Sequence, residues 1–248
     1  MTLERLVSIM RRLRDPATGC AWDRQQSFAT IAPYTVEEAY EVADAIARDD
    51  MPALADELGD LQLQVVFHSQ MAEESGLFTL HDVLDGICDK LERRHPHIFG
   101  GAAESPGWEA IKAAERKKKP DPSALAGVAL AFPALERAQK LQRRAAATGF
   151  DWPDAQGPRA KVDEELAELD AETAPAARED ELGDLMFAIV NLARHLNIDA
   201  EEALRKANRK FEARFRAIET VPGFSAMPLD EMEALWVRAK ADQADSSA

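Results

Sequence analysis

The chain has 248 residues, of which 46% are hydrophobic, 45 are acidic and 30 are basic, giving a formal net charge of −15. This hydrophobic content excludes a disordered protein and suffices for one large core or two small ones. The negative charge would repel a phosphate backbone, which excludes nucleic acid as the main partner. A small phosphorylated substrate remains compatible with it, because local cations or a bound metal ion override the overall field in one pocket.

The N-terminal segment predicts a helix without a targeting signal. Residues 1–15 combine charged and apolar side chains at helical spacing. Neither this segment nor any other contains the continuous apolar run of a signal peptide or a membrane span. The two cysteines, Cys20 and Cys88, form no disulfide framework. We therefore expect a cytoplasmic protein with no membrane association.

The first half carries two acidic motifs at helical spacing. Glu38 and Glu41 are three residues apart, so both project from one face of a predicted helix. Pro52 predicts a break, after which Glu57 and Asp60 repeat the spacing on a second helix. If these helices pack antiparallel, the four carboxylates converge into one candidate metal site.

A connector separates the two halves of the chain. Residues 115–127 join a basic run to two prolines, a composition typical of an exposed linker. We predict an N-terminal domain over 1–119, a linker over 120–126 with the boundary near Pro120, and a C-terminal domain over 127–248. On both sides apolar residues recur at steps of three and four, and sustained strand patterns are absent. The predicted fold class is therefore all-α.

The second half repeats the acidic pattern. Glu165 and Glu168 share one helix face, with Glu164 adjacent to them. After a proline that predicts the end of one helix and the start of the next, Glu181 and Asp184 follow. The segment DELGDL occurs almost letter for letter in both halves, and matching motifs are offset by about 120–130 residues. This predicts two tandem copies of one helical unit.

Four converging carboxylates require a cation, because like charges a few ångströms apart do not all stay ionised cheaply. Oxygen ligands favour a hard ion, so Mg²⁺ is the predicted cofactor, with Mn²⁺ as the alternative. Acidic pairs at helical spacing are also common on solvated helix faces, and one pair alone would indicate little. The occurrence of two pairs with a spacer, twice in one chain, favours metal binding.

At these residues the chain closely resembles the MazG family of nucleoside triphosphate pyrophosphohydrolases. The family pattern EExxE followed by ExxD is present in both halves, and the similarity extends over nearly the whole chain. It includes CAWDRQQSFATIAPYTVEEAYEVADAI, DKLERRHPHIFG and ELGDLMFAIVNLARHLNIDAEEALRKANRKFEARF. The resemblance implies a homodimer that hydrolyses NTPs and dNTPs of broad base range to the monophosphate and pyrophosphate. It also implies a role in clearing aberrant or excess nucleotides.

The resemblance further implies roles for individual residues. Lys210 and Arg214, one helical turn apart, would grip the triphosphate, and Trp236 would stack on a base. A solvated face for the two cations and a core position for Trp236 are the alternative interpretations. Where family members carry a lysine this chain has Ala177, and the neighbouring Arg178 is its predicted substitute. The family's metal ligands correspond to Glu165, Glu168, Glu181 and Asp184, and the N-terminal counterparts of the substrate contacts are Lys90, Arg94 and Trp108.

The predicted mechanism is in-line attack of an activated water on the α-phosphorus, with Mg²⁺ offsetting charge on the phosphoryl oxygens. The general base is Glu164 or a metal-bound hydroxide, two possibilities that the sequence does not separate. Family precedent favours the second half as the main catalytic half. The first half would then be a nucleotide-binding, weakly active or structural copy.

Two other interpretations compete with hydrolysis. A ferritin-like di-iron bundle uses two Glu-x-x-His pairs, but only Glu92 with His95 matches, because Phe215 stands at the corresponding position of the second half. His95 and His97 flank Pro96 and are predicted to end a helix. The non-enzymatic alternative is a helical nucleotide sensor or interaction protein that binds metal and ligand without hydrolysis.

Overall fold

The computed structural model describes residues 2–245, with gaps at 102–103, 105–106, 108–110, 112–113 and 116–120. All regular secondary structure in these residues is helical, which confirms the predicted all-α class. The chain divides into two compact units, Met1–Ala113 and Ala114–Ala248. The predicted boundary at Pro120 lies outside the described residues.

The first unit is built around a long helical hairpin. The Asp50 side chain accepts a hydrogen bond from the backbone N–H of Ala53 at the start of the hairpin's second helix, and Pro52 occupies its first turn, where no N–H is needed. The core joins the first helix to this hairpin through Met10, Ile31, Val66, Phe67 and Met71. The helices are α1 (Thr2–Leu13), α2 (Ala21–Gln25), α3 (Phe28–Ala47), α4 (Met51–Glu74), α5 (Leu80–Arg94) and α6 (Pro96–Phe99), and the hairpin is α3 with α4.

The second unit contains a hairpin of the same kind. Its helices are α7 (Ala134–Ala146), α8 (Gln156–Ala171), α9 (Pro175–His195), α10 (Ala200–Glu219) and α11 (Leu229–Asp245), with a 3₁₀ turn at Phe224–Ala226. The helices α8 and α9 form the hairpin, and Pro175 begins α9 as the sequence predicted. α7 packs on α9, and α10 packs on α11. Across the described ranges, no helix is both long and apolar enough to cross a lipid bilayer.

Candidate active site

Three of the predicted metal ligands meet on the hairpin of the second unit. Glu165 and Glu168 project from α8, and Glu181 faces them from α9. One carboxylate oxygen from each of these residues lies within 4.8 Å of the other two. The helical spacing of three aligns the first two, and the turn before Pro175 brings α9 alongside them.

The environment of these carboxylates favours a bound cation. Glu165 is only 6% exposed, whereas Glu168 is exposed and Glu181 is half-buried. Burial, followed by the nearby charges of Glu168, Glu165 and Asp184, raises the pKa of the Glu181 carboxyl above its usual range. The three carboxylates offer oxygen ligands, which a hard divalent cation prefers. Because the group is buried at Glu165 and exposed at Glu168, a cation bound there would keep coordination positions open for water or phosphate.

The other two acidic predictions occupy different positions around this group. Asp184 lies outside the set of three, yet it lines a cavity together with Glu165, and its charge contributes to the raised pKa of Glu181. Glu164 is exposed and forms an ion pair with Lys161 at 3.0 Å. Asp184 therefore lies within the electrostatic reach of the group, and Glu164 lies at its edge.

Lys161 is a site residue that the sequence analysis missed. Its ammonium lies 2.5 Å from a Glu165 carboxylate oxygen and 3.0 Å from a Glu164 oxygen. Hydrogen bonds to Glu165 and Glu164 raise the pKa of Lys161, so the side chain stays protonated. Its position four residues before Glu165 was the signal that could have identified it, because residues at that spacing are neighbours on a helix.

The first unit holds a corresponding group of carboxylates. Oxygens of Glu38, Glu41 and Glu57 lie within 4.8 Å of one another. Burial, followed by the charges of Asp60 and Glu41, raises the pKa of Glu38, while Gln64 donates a hydrogen bond of 3.3 Å to this carboxylate. Burial also leads the causes that raise the pKa of Glu57. Both hairpins thus gather three acids, with the aspartate of each second motif contributing charge from nearby.

A cavity of about 480 Å³ adjoins the carboxylates of the second unit. Sequence reasoning had assigned only Glu165 and Asp184 of its lining to a site. Lys161 and three residues of α9 stand at helical spacing from these two acids, whereas Leu125, the α7 residues and the segment 150–152 come from distant parts of the chain that no local spacing connects to them. The cavity is lined by Leu125, Leu141, Gln142, Ala145, Phe150, Asp151, Trp152, Pro158, Lys161, Glu165, Asp184, Phe187, Ala188, Asn191 and Arg194.

The predicted substrate contacts of the second unit lie elsewhere. Lys210 is exposed on α10, one turn from the half-buried Arg214. The Arg214 guanidinium lies 5.8 Å from the ring centre of Trp236 and donates a 2.8 Å hydrogen bond to Gln243. Trp236 is half-buried, with its ring 5.1 Å from that of Phe211. The structure brings Arg214 and Trp236 together between α10 and α11, but none of the three predicted contacts lines the cavity.

The remaining predictions are placed as follows. Arg178 is exposed at the start of α9, where its guanidinium donates to the backbone oxygen of Glu172 at 2.7 Å. Lys90 and Arg94 are half-buried on α5, one turn apart, and Trp108 lies outside the described residues. His95 caps the end of α5, which confirms the predicted helix end, and its Nδ1 lies 2.7 Å from the Leu91 carbonyl oxygen.

Comparison with known proteins identifies close relatives. The family profile described as the MazG nucleotide pyrophosphohydrolase domain matches residues 26–99, within the first unit. A nucleoside triphosphate pyrophosphohydrolase of Escherichia coli K12 is 49% identical over 259 aligned positions, covering 98% of both chains. A Thermotoga maritima protein named nucleoside triphosphate pyrophosphohydrolase/pyrophosphatase MazG is 45% identical and covers 96% of this chain and 95% of its own. These full-length similarities include both units.

Proposed function

The chain belongs to the MazG family of nucleoside triphosphate pyrophosphohydrolases, and we propose that it hydrolyses NTPs and dNTPs to the monophosphate and pyrophosphate with Mg²⁺ at Glu165, Glu168 and Glu181. The observation that carries this proposal is the convergence of three carboxylates beside a cavity of substrate size. Broad base range and a role in clearing aberrant or excess nucleotides are part of the proposal.

Different residues of the second unit have different proposed roles in this reaction. Glu165, Glu168 and Glu181 would hold Mg²⁺ with Asp184 beside them, and the ion would supply positive charge that offsets the phosphoryl oxygens. Lys161 would place a second cation at the same edge of the cavity. Glu164 is the proposed proton acceptor for the attacking water, with a metal-bound hydroxide as the alternative base, and its ion pair with Lys161 engages one of its two carboxylate oxygens.

The second unit is the proposed main catalytic half. Lys161 stands four residues before Glu165, whereas Tyr34 stands four residues before Glu38 in the first unit. The first hairpin therefore offers the same acids without that cation. Two single substitutions compare the contributions of the two units to turnover. We expect Glu165→Gln in the second unit to lower turnover at least tenfold more than Glu38→Gln in the first unit.

The decisive experiment is product analysis by phosphorus NMR after incubation with each common NTP and dNTP and Mg²⁺. We expect monophosphate and pyrophosphate, with turnover reduced about 10- to 100-fold in Asp184→Ala, the range found when residues that support metal ligands are removed. The folded state of the variant is checked by circular dichroism. Diphosphate with free phosphate would contradict the proposal, and nucleotide binding without any product would favour the sensor instead.

A homodimer is the proposed assembly. Leu182, Met186 and Ile189 follow one another at steps of four and three along α9, and each is between 43% and 51% exposed. An apolar stripe of this kind on a helix is typical of a surface that packs against another chain.

A further inference from the structure

Two side chains that line the cavity of the second unit carry a polar atom without a partner among the described residues, the oxygen of Gln142 and the amide nitrogen of Asn191. Asn191 lies on α9, is only 8% exposed and lines the cavity. Its side-chain oxygen accepts two hydrogen bonds from Arg194, at 3.0 Å from Nε and 2.7 Å from Nη2. Because an arginine only donates, these bonds orient the amide with its oxygen toward Arg194. The Asn191 amide nitrogen is left as a donor to the cavity, and none of the described residues accepts from it.

An ion pair between Arg194 and Asp151 restrains the orientation of the Asn191 amide. Arg194 donates to the two carboxylate oxygens of Asp151, at 2.9 and 2.5 Å. Such a bidentate pair restrains the guanidinium more firmly than a single contact would. Asp151 therefore holds Arg194, and Arg194 holds Asn191, so the donor faces the cavity before any ligand arrives.

An aromatic ring forms another part of the cavity wall. Trp152 is 41% exposed, and its indole lies so close to Gly157 that a β-carbon at that glycine would overlap the ring. Gly157 belongs to the first turn of α8, which is the helix that carries Glu165. The indole therefore packs directly on the first turn of α8, the helix that also carries two of the carboxylates. A fixed indole is a stacking surface that accepts any base, because every base has a π-face.

We propose that this cavity binds the nucleobase of the substrate, with Asn191 donating a hydrogen bond to an acceptor on the base and Trp152 packing against its ring. This proposal rests on the proposed hydrolysis of nucleoside triphosphates. The cavity shares Glu165 and Asp184 with the carboxylate group, so one ligand can reach both parts. Its volume of about 480 Å³ lies within the range of small-molecule sites.

The corresponding positions of the first unit carry no such donor. Phe67 stands ten residues after Glu57, as Asn191 stands ten residues after Glu181. Phe67 is buried in the core of its unit, and Trp22 packs edge-on against it with ring centres 6.4 Å apart. Trp22 also packs edge-on against Tyr34, at 6.3 Å. Aromatic side chains thus meet one another where the second unit has a cavity with the Asn191 donor in its wall, and the proposed base site belongs to the second unit.

The chemistry of the site predicts which substrates it takes. The Asn191 donor recognises an oxygen or ring nitrogen acceptor, and all common bases carry such acceptors on their edges. Stacking adds affinity without regard to base identity. Purine and pyrimidine nucleotides are therefore both substrates, and a triphosphate without a base loses the contribution of this cavity.

The test compares each NTP with ribose 5-triphosphate, which has the same charged groups and no base. Asn191→Asp removes the donor yet keeps an oxygen for Arg194, and we expect it to raise the KM of NTPs about three- to tenfold. Trp152→Leu should raise this KM about fivefold or more. Both substitutions should raise the KM of ribose 5-triphosphate by a smaller factor than the KM of NTPs. Asn197→Asp, the same substitution on the exposed residue that follows α9 by two positions, is the matched control.

Two outcomes would overturn the base site. One is a wild-type enzyme that acts on ribose 5-triphosphate as well as on NTPs, and the other is an Asn191→Asp variant that weakens both substrates equally. If the wild type hydrolyses no nucleotide, the proposed function fails instead. In that case, the Kd of ATP and the Kd of ribose 5-triphosphate are measured for the wild type and for Asn191→Asp. The proposed base site requires that the substitution weaken the binding of ATP more than that of ribose 5-triphosphate.

Discussion

Asp151 illustrates how one side chain organises the second unit. The hydrogen bonds from Arg194, followed by those from His195, lower the pKa of the Asp151 carboxyl from 3.8 to about 2. The side chain is about one-quarter exposed, so part of the interaction is screened by solvent. The charged form of Asp151 is favoured in the folded state and stabilises the unit wherever this carboxyl is ionised.

Asp151→Asn should therefore destabilise the second unit in a pH-dependent way. A carboxyl whose pKa falls on folding contributes stability above its unfolded value, and this stability is lost as the pH falls from about 4 to 2. We expect a loss of about 1–2 kcal/mol in the free energy of unfolding at neutral pH, after allowance for screening. Denaturant titrations between pH 2 and 7, with the exposed Asp242→Asn as control, measure this loss. A difference from wild type that does not change with pH would refute the assignment.

Gly157 is a second residue whose role depends on a close approach. A methyl group at this position would overlap the Trp152 indole and displace it from the wall of the cavity. We expect Gly157→Ala to raise the KM of NTPs roughly tenfold through loss of stacking. Gly86→Ala, on α5 with open space around the added methyl, is the matched control in the first unit. Unchanged steady-state kinetics in Gly157→Ala would show that the indole position does not matter for the substrate.

At the scale of secondary structure elements, each hairpin brings together charges that repel one another. The turn between α3 and α4 and the turn between α8 and α9 both place a glutamate of the later helix against two of the earlier helix. The pKa values of Glu38, Glu57 and Glu181 are raised in the folded state, with burial as the largest cause in each case. Without a cation, the folded hairpins therefore bind protons more readily than the unfolded chain does.

The raised pKa values predict how the stability of the protein depends on pH and on Mg²⁺. Because the folded pKa of these carboxyls lies above the unfolded value of 4.5, the metal-free protein should lose stability as the pH rises through the raised values. Mg²⁺ should reverse this loss, and a concentration 100 times the Kd would add about 2.7 kcal/mol. Thermal unfolding at pH 5 and 7.5, in EDTA and in Mg²⁺, should show the larger Mg²⁺ effect at the higher pH. An equal Mg²⁺ effect in the double variant Glu38→Gln with Glu165→Gln would place the ion elsewhere.

At the scale of the whole molecule, the exposed stripe on α9 underlies the proposed homodimer. Sedimentation equilibrium should give twice the mass of 27.4 kDa for the wild type. Met186→Glu places a charge in the centre of the stripe and should shift the protein toward the monomer, because a buried unpaired charge is costly. Leu130→Glu changes an 84% exposed residue outside α9 and should leave the mass unchanged. A monomeric wild type at micromolar concentration would contradict the proposed dimer.

Much of the fold followed from local chemistry in the sequence. Steps of three and four predicted the helices, and prolines near the helix starts predicted the two hairpins, because both signals act within a few residues. The acidic groups followed as well, since Glu165 and Glu168 share a face and the turn before Pro175 brings Glu181 to them. Local chemistry in the sequence thus predicted the all-α class and the three glutamates of each group, whereas Asp60 and Asp184, predicted as fourth ligands, lie outside the groups of three.

The cavity and the orientation of the Asn191 donor in its wall depend on tertiary packing. Asp151 and Arg194 are 43 residues apart, and no helical repeat or turn signal connects them. Their ion pair forms because α9 passes beside the segment that leads into α8, and this packing also orients Asn191. Trp22 and Trp152 stand 130 residues apart, an offset close to that of the repeated acidic motifs, yet only the packed units reveal that the Trp152 indole lines a cavity and that Trp22 packs against Phe67. Side chains at equivalent positions act differently here because neighbours far away in the chain decide whether the space beside them is open or filled.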